Sequence, residues 1–340
     1  MAGQDYLHRS AALFSAVFPV VWLGLLLIYA ARRRVTAEAI LTAFTMGFLS
    51  ALTVGISFLT VAAVTAGSDV ISLKGVFATS FLAAALPEEA AKLAVILTIV
   101  YRHEDVISPL DYILTAGWVG LGFAGLENIF YVFGEFADGD GKWLSLAIAR
   151  AATAVPSHTM SGVLMGILLA SSLEERAHKA RWMIASFLIP FFLHGLYDVC
   201  VVSLREQANG LPFSAEPWHL ALGLGVVMTF EAWLAFALVR YGRSRWHETL
   251  APPLRSGQSR WIEYSFRMLL ILTMLIAIGL IGLGIFGVWK RHNISAFAGA
   301  GIAWLGIAYT TRLLCLTAKD HPSDLTVSPQ VPISKDLASG

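Results

Sequence analysis

The sequence predicts an all-α, polytopic integral membrane protein of about nine transmembrane helices, with its buried polar residues concentrated in a four-helix core in the middle of the chain. Three observations carry that expectation. Of 340 residues, 57% are hydrophobic and only 14% charged, whereas soluble domains carry about 25% charged residues. Mean hydropathy is +0.69. Apolar runs of the roughly 20 residues needed to cross hydrocarbon recur along the whole chain, near 11–30, 40–66, 75–101, 112–133, 143–171, 182–204, 218–239, 268–289 and 295–316.

The first run is too long for a cleaved signal peptide and is followed at once by Arg32, Arg33 and Arg34, so it reads as a retained anchor. With the second run it forms an N-terminal pair over residues 1–70. Runs three to six occupy 71–205 and hold nearly all of the intramembrane charge. The last three runs fill 206–317, interrupted by a basic loop at 240–264, and 318–340 lacks periodicity and contains Pro322, Pro329 and Pro332, as a disordered tail would.

Basic residues place the ends. Alternate loops carry Arg32, Arg33, Arg34, Arg102, Arg176, Lys179, Arg181, Arg240, Arg243, Arg245, Arg255 and Arg260, while the opposite set has only Arg9, Lys74, Lys142, Arg205, Lys290 and Arg291. Lysine and arginine concentrate on the cytoplasmic side, so the N-terminus is expected outside and the C-terminus in the cytoplasm, in a cell membrane of bacterial type. Cys200 and Cys315 then fall near opposite faces and are not expected to pair.

An ionisable side chain at mid-bilayer costs roughly 2.5–3.5 kcal/mol on insertion scales and is a functional candidate by default. Run three contains LPEEAAK with Glu88, Glu89 and Lys92; run four contains FAGLEN with Phe123, Glu127 and Asn128; run five has His158; run six has HGLYD with His194 and Asp198. Counted from the cytoplasmic end of each run, Glu88 stands about 21 Å up, Glu127 about 23 Å, His158 about 20 Å, His194 about 18 Å and Asp198 about 24 Å. One layer is expected. His194 and Asp198 share a helix face, as do Glu88 and Lys92, and a Lys92–Glu88 pair at i,i+4 is the simplest role for the lysine. Small residues at four-residue spacing, Ala154, Gly162 and Gly166 with His158, and Ala116, Gly120 and Ala124 with Asn128, mark packing seams along the same faces.

Pro87 with Glu88 and Glu89 also has the form of a helix start, but the apolar residues before it favour a kink or restart inside the membrane. Arg150, near the outer end of its run, and Glu231, without partners at its depth, read as structural. Asp138-Gly139-Asp140-Gly141 lacks the rest of a calcium loop and reads as a polar turn.

Acids that activate water and imidazoles that shuttle protons or hold a metal suit hydrolysis. No HExxH, no GxGD in a span and no serine motif paired with histidine is present, which leaves a glutamate-based centre. The ordered set EEAAK, FAGLEN, His158 and HGLYD resembles the motifs of the PrsW family of intramembrane proteases, relatives of the CAAX prenyl proteases and bacteriocin-processing enzymes, over roughly residues 75–205. The resemblance implies an intramembrane peptidase acting on membrane-anchored protein substrates such as anti-sigma factors, with the lipid bilayer as its medium and no nucleic-acid partner. It implies Glu88 or Glu89 as general base, His158 and His194 orienting water, stabilising the oxyanion or ligating a metal, Glu127 and Asp198 as their partners, and Asn128 as an oxyanion donor. The second motif ends in glutamate where CAAX-type members place histidine, so prenyl-peptide specificity does not carry over. Two mechanisms fit these groups. The preferred one is a glutamate centre requiring no cofactor; the other is a zinc site on His158, His194 and Asp198 or a glutamate. The same cluster would also serve a proton- or cation-coupled transporter, although no second half repeats the motif set.

Overall fold

A computed structural model describes residues 2–31, 35–65, 73–103, 106, 108–139, 141–208, 216–243, 260–290 and 296–316. The described residues form helices and no strand: α1 (Ala2–Ala31), α2 (Ala37–Thr65), α3 (Leu73–Phe77), a π-helical segment (Ala78–Ala85), α4 (Leu86–Arg102), α5 (Pro109–Asp138), α6 (Trp143–Ala152), α7 (Ala154–Glu174), a short 3-10 turn (Arg176–His178), α8 (Lys179–Ala208), α9 (Pro217–Arg243), α10 (Arg260–Lys290) and α11 (Ala296–Leu316). Among the described residues, seven stretches are long and apolar enough to cross a membrane. The other two predicted runs are helical where expected, α3 to α4 carrying Glu88, Glu89 and Lys92 in its interior, and α11 covering 296–316. The tail at 318–340 and most of the basic loop at 240–264 lie outside the described residues.

The centre of the bundle is α5, buried along most of its length, with α7 beside it. Its start is well specified: Ser108 accepts from the Asp111 amide at 3.2 Å, Asp111 accepts from the Ser108 amide at 2.8 Å, and Pro109 opens the helix. Gly139, at φ +75°, ends it in the left-handed conformation. Outward faces of the surrounding helices expose Phe14, Leu41, Phe192, Trp233, Leu275 and Trp289. Such an apolar girdle is stable only against lipid.

Two irregularities shape the interior. The run that carries the acids is π-helical over Ala78–Ala85 and becomes α-helical at Leu86. Pro87 has no amide hydrogen and its ring crowds the carbonyl four residues earlier; the wider preceding turn accommodates both demands. Run five breaks at Thr153 (φ −120°, ψ −66°), where α6 ends and α7 begins. The Thr153 hydroxyl lies 2.8 Å from the Ala149 carbonyl and 2.9 Å from the Tyr197 hydroxyl, which ties the break to α8.

Close approach of α5 and α7 depends on glycine. A Cβ at Gly162 would meet the Ala116 carbonyl, and one at Gly120 the His158 carbonyl. Neither backbone can yield without parting the helices. Gly162→Ala is therefore expected to destabilise the protein by about 1–3 kcal/mol, the usual cost of overpacking. Gly134→Ala, on the same α5 but with open space around it, should melt like wild type in the same micelles; equal melting of the two variants would refute the tight seam.

Candidate active site in the bundle core

Four helices deliver the predicted residues to one place. Glu88, Glu89 and Lys92 come from the first two turns of α4, Phe123, Glu127 and Asn128 from the middle of α5, His158 from α7, and His194 and Asp198 from α8. Glu89 is the hub and is fully buried. Its Oε1 lies 2.6 Å from Lys92 Nζ and 2.7 Å from His194 Nδ1, and its Oε2 accepts from Ser161 Oγ at 2.5 Å. A buried carboxylate with three partners satisfies the demand that burial imposes on charge.

Lys92 is also fully buried. Besides Glu89 it reaches His158 Nδ1 at 2.9 Å, and it sits 4.3 Å above the Phe123 ring, a cation–π contact. An ammonium only donates, so Nδ1 is the acceptor and the ring proton of His158 is on Nε2, facing Glu127 Oε2 at 2.5 Å. Phe123 packs on the imidazole at 5.4 Å between centroids. His194 crosses His158 edge-on, at 5.1 Å and 87°. Its Nε2 lies 3.3 Å from Asp198 Oδ2 and 3.7 Å from Glu88 Oε2. Glu88 Oε2 is buried and has no hydrogen-bond partner among the described residues. The layer opens where side-chain exposure rises to 17% at Glu127 and 18% at Asp198, against none at Glu89 and Lys92.

Some placements differ from the sequence reading. Lys92 pairs with Glu89 at i,i+3 instead of Glu88 at i,i+4, because Glu89 points inward to His194 and Ser161 as well. Asn128 turns its amide to the Ala16 carbonyl at 2.7 Å and its oxygen to Arg150 Nε at 2.9 Å. Arg150, read as structural, lies 3.0 Å from Glu127 Oε2. Glu231, read as partnerless, accepts from Ser157 Oγ at 2.9 Å. Ser157 and Ser161 went unmarked; both are within one turn of His158, and their i−1 and i+3 positions were the available signal.

The donor set also suits a metal. One ligand atom each from Glu88, His158 and His194 lies within 4.8 Å of the others. The buried, unpartnered Glu88 oxygen and two imidazoles are hard and borderline donors of the type that hold zinc. Metal on His158 Nε2 puts the ring proton on Nδ1, facing Lys92. Loading therefore requires Lys92 to turn from His158 and rest on Glu89 alone. Of the alternatives for the third ligand, Asp198 or a glutamate, Glu88 is the one that falls in this group, and Asp198 lies 3.3 Å from His194 Nε2.

The sequence profile of PrsW family intramembrane metalloproteases matches residues 35–235. Protease PrsW of Geobacillus kaustophilus (strain HTA426) is 35% identical over 179 residues, 53% of this chain and 71% of that protein. Protease PrsW of Bacillus subtilis (strain 168) is 34% identical over 151 residues, 44% of this chain and 66% of that protein. Protease PrsW of Clostridioides difficile (strain 630) is 31% identical over 121 residues, 35% of this chain and 50% of that protein. No solved structure matches.

Proposed function

The chain belongs to the PrsW family of intramembrane metalloproteases, and from that membership we propose that it hydrolyses a peptide bond of membrane-anchored regulatory proteins at the Glu88–His158–His194 cluster. The observation that carries this reading is the convergence of a Glu88 carboxylate oxygen, without a hydrogen-bond partner among the described residues, with two imidazoles inside a buried polar layer. Family membership also weighs against the transporter reading of the same charges.

In the proposed reaction, Glu88 takes a proton from water as the water oxygen bonds to the scissile carbonyl carbon. His194, held between Glu89 and Asp198, passes a proton to the departing amine as the C–N bond breaks and is reprotonated from Glu88, whose Oε2 lies 3.7 Å from its Nε2. His158, held by Lys92 at Nδ1, shares its Nε2 hydrogen between Glu127 and the oxygen that becomes negative. A divalent ion such as zinc, if bound, would be held by Glu88, His158 and His194, and would acidify water and polarise the carbonyl. Glu127 is then the carboxylate left to accept the proton. The polarity that the loops imply puts the N-terminus outside and the C-terminus in the cytoplasm of a bacterial plasma membrane.

The test is cleavage of a panel of tagged single-span proteins by purified enzyme in lipid, with and without a strong chelator. Defined fragments from wild type and none from His158→Gln/His194→Gln are expected. Loss of those fragments on chelation, restored by zinc, together with metal bound to wild type and absent from the double variant, would establish the metal mechanism. Full activity of metal-stripped protein would leave the glutamates to act alone. Fragments from the double variant would move the chemistry elsewhere.

A further inference from the structure

Arg150 is nearly enclosed in the bundle, with 11% of its side chain exposed. Its guanidinium grips two consecutive α5 residues: Nη2 lies 3.0 Å from Glu127 Oε2, and Nε donates to Asn128 Oδ1 at 2.9 Å. The group also lies over Tyr131, 4.1 Å from the ring centroid. Asn128 is anchored in turn on the Ala16 carbonyl of α1 at 2.7 Å. The oxygen of Glu127 that faces Arg150 is the same one that faces His158 Nε2 at 2.5 Å.

We infer that Arg150 is a positioning residue for the reaction proposed above: it holds the Glu127 carboxylate where it orients His158, and the helix break at Thr153 aims it there. An arginine present only to bind α6 to α5 could do so through Asn128 and Tyr131. Its contact with the shared Glu127 oxygen neutralises a buried charge, and it also fixes the acceptor that keeps the His158 hydrogen on Nε2. The break sets the direction. A continuous helix through 143–174 would carry Arg150 on a different heading, but the turn ends at Ala152 and is secured to α8 through Thr153 and Tyr197. A lysine offers one compact ammonium and cannot serve Glu127 and Asn128 with the same fork. The inference rests on the Glu/His cluster being the hydrolytic centre.

The decisive comparison uses full-length Arg150→Met, Arg150→Lys, Glu127→Gln and Arg150→Met/Glu127→Gln, purified in lipid. Arg150→Met should lower kcat about a hundredfold with KM within about twofold, the order of effect of a misaligned reacting group. Arg150→Lys should recover only a small part. In the Glu127→Gln background Arg150→Met should cost less than about twofold more, because both act through one carboxylate. A loss confined to KM, full rescue by lysine, or losses that multiply in the double variant would overturn the inference.

A second readout does not need turnover. In protein labelled with 15N at the histidine rings, the His158 resonances, identified by their absence from His158→Gln, should show hydrogen on Nε2 in wild type and change in Arg150→Met while the other histidines stay unchanged. An unaltered His158 signal would overturn the positioning role. Should wild type cleave no substrate at all, the hydrolytic reading fails, and this spectrum still decides whether Arg150 governs His158.

Discussion

Glu88→Gln protein is expected to insert and melt like wild type and to cleave about 10²–10⁴-fold more slowly, the range that general acid–base groups contribute. Both halves follow from the surroundings of one carboxyl group. Glu88 Oε2 has no hydrogen-bond partner among the described residues, and His194 Nε2 is 3.7 Å away. The amide is isosteric and breaks no hydrogen bond at that atom, and it relieves the cost of holding a partnerless charge in hydrocarbon. An amide cannot accept a proton from water, so the chemistry is lost while the fold is kept. Initial rates on one tagged substrate, with thermal melting in the same micelles, measure both. Cleavage within about threefold of wild type would remove Glu88 from the reaction and leave Glu127 or Asp198, the acids on the open side, as the base. A loss of activity accompanied by a matching loss of folded protein would instead make Glu88 structural.

The layer that holds these groups was legible in the sequence because intramembrane charge is expensive enough to force clustering. Glu88, Glu127, His158, His194 and Asp198 were expected at one depth from rise per residue alone, and the four helices do bring them together. The α5–α7 seam was legible for a similar reason: Gly120 and Gly162 recur at the spacing that close helix approach requires. Side-chain direction was less accessible. Lys92 can reach either acid on α4, and only tertiary partners of Glu89, which are Ser161 and His194, decide that it turns to i−3. The surroundings of Arg150 were less accessible because run five, 143–171, reads as one helix, and depth counted along it is correct only if Thr153 does not break it. The residue that announces the break is Pro156, which has no amide hydrogen for the Ala152 carbonyl four residues earlier and crowds it with its ring. The π-helical stretch before Pro87 was foreseeable in part, as a kink, but its hydrogen-bond pattern was not.

The Glu89–Lys92 pair is where stability and activity should separate most clearly. Both residues are fully buried at 2.6 Å, and each has further partners: His194 and Ser161 on the acid, His158 and the Phe123 ring on the base. Removing one member strands a charge with no water to receive it, so Lys92→Met and Glu89→Gln are each expected to cost about 3–5 kcal/mol of stability. The double variant Glu89→Gln/Lys92→Met removes both charges together. It should regain most of that loss, because an ion pair replaced by neutral groups of similar volume is often neutral or stabilising. Activity should not return with it. His194 Nδ1 would lose its carboxylate and His158 Nδ1 its ammonium, so neither imidazole keeps the tautomer and heading that the reaction needs. Equilibrium unfolding in mixed micelles and cleavage rates on the same four proteins provide the comparison. Single variants that unfold at wild-type denaturant concentration would mean that water reaches the pair, and the closed cluster would then not be the state that meets substrate. Recovery of activity in the double variant would carry the opposite lesson, that the pair only neutralises itself and leaves the imidazoles to be oriented by Glu127 and Asp198.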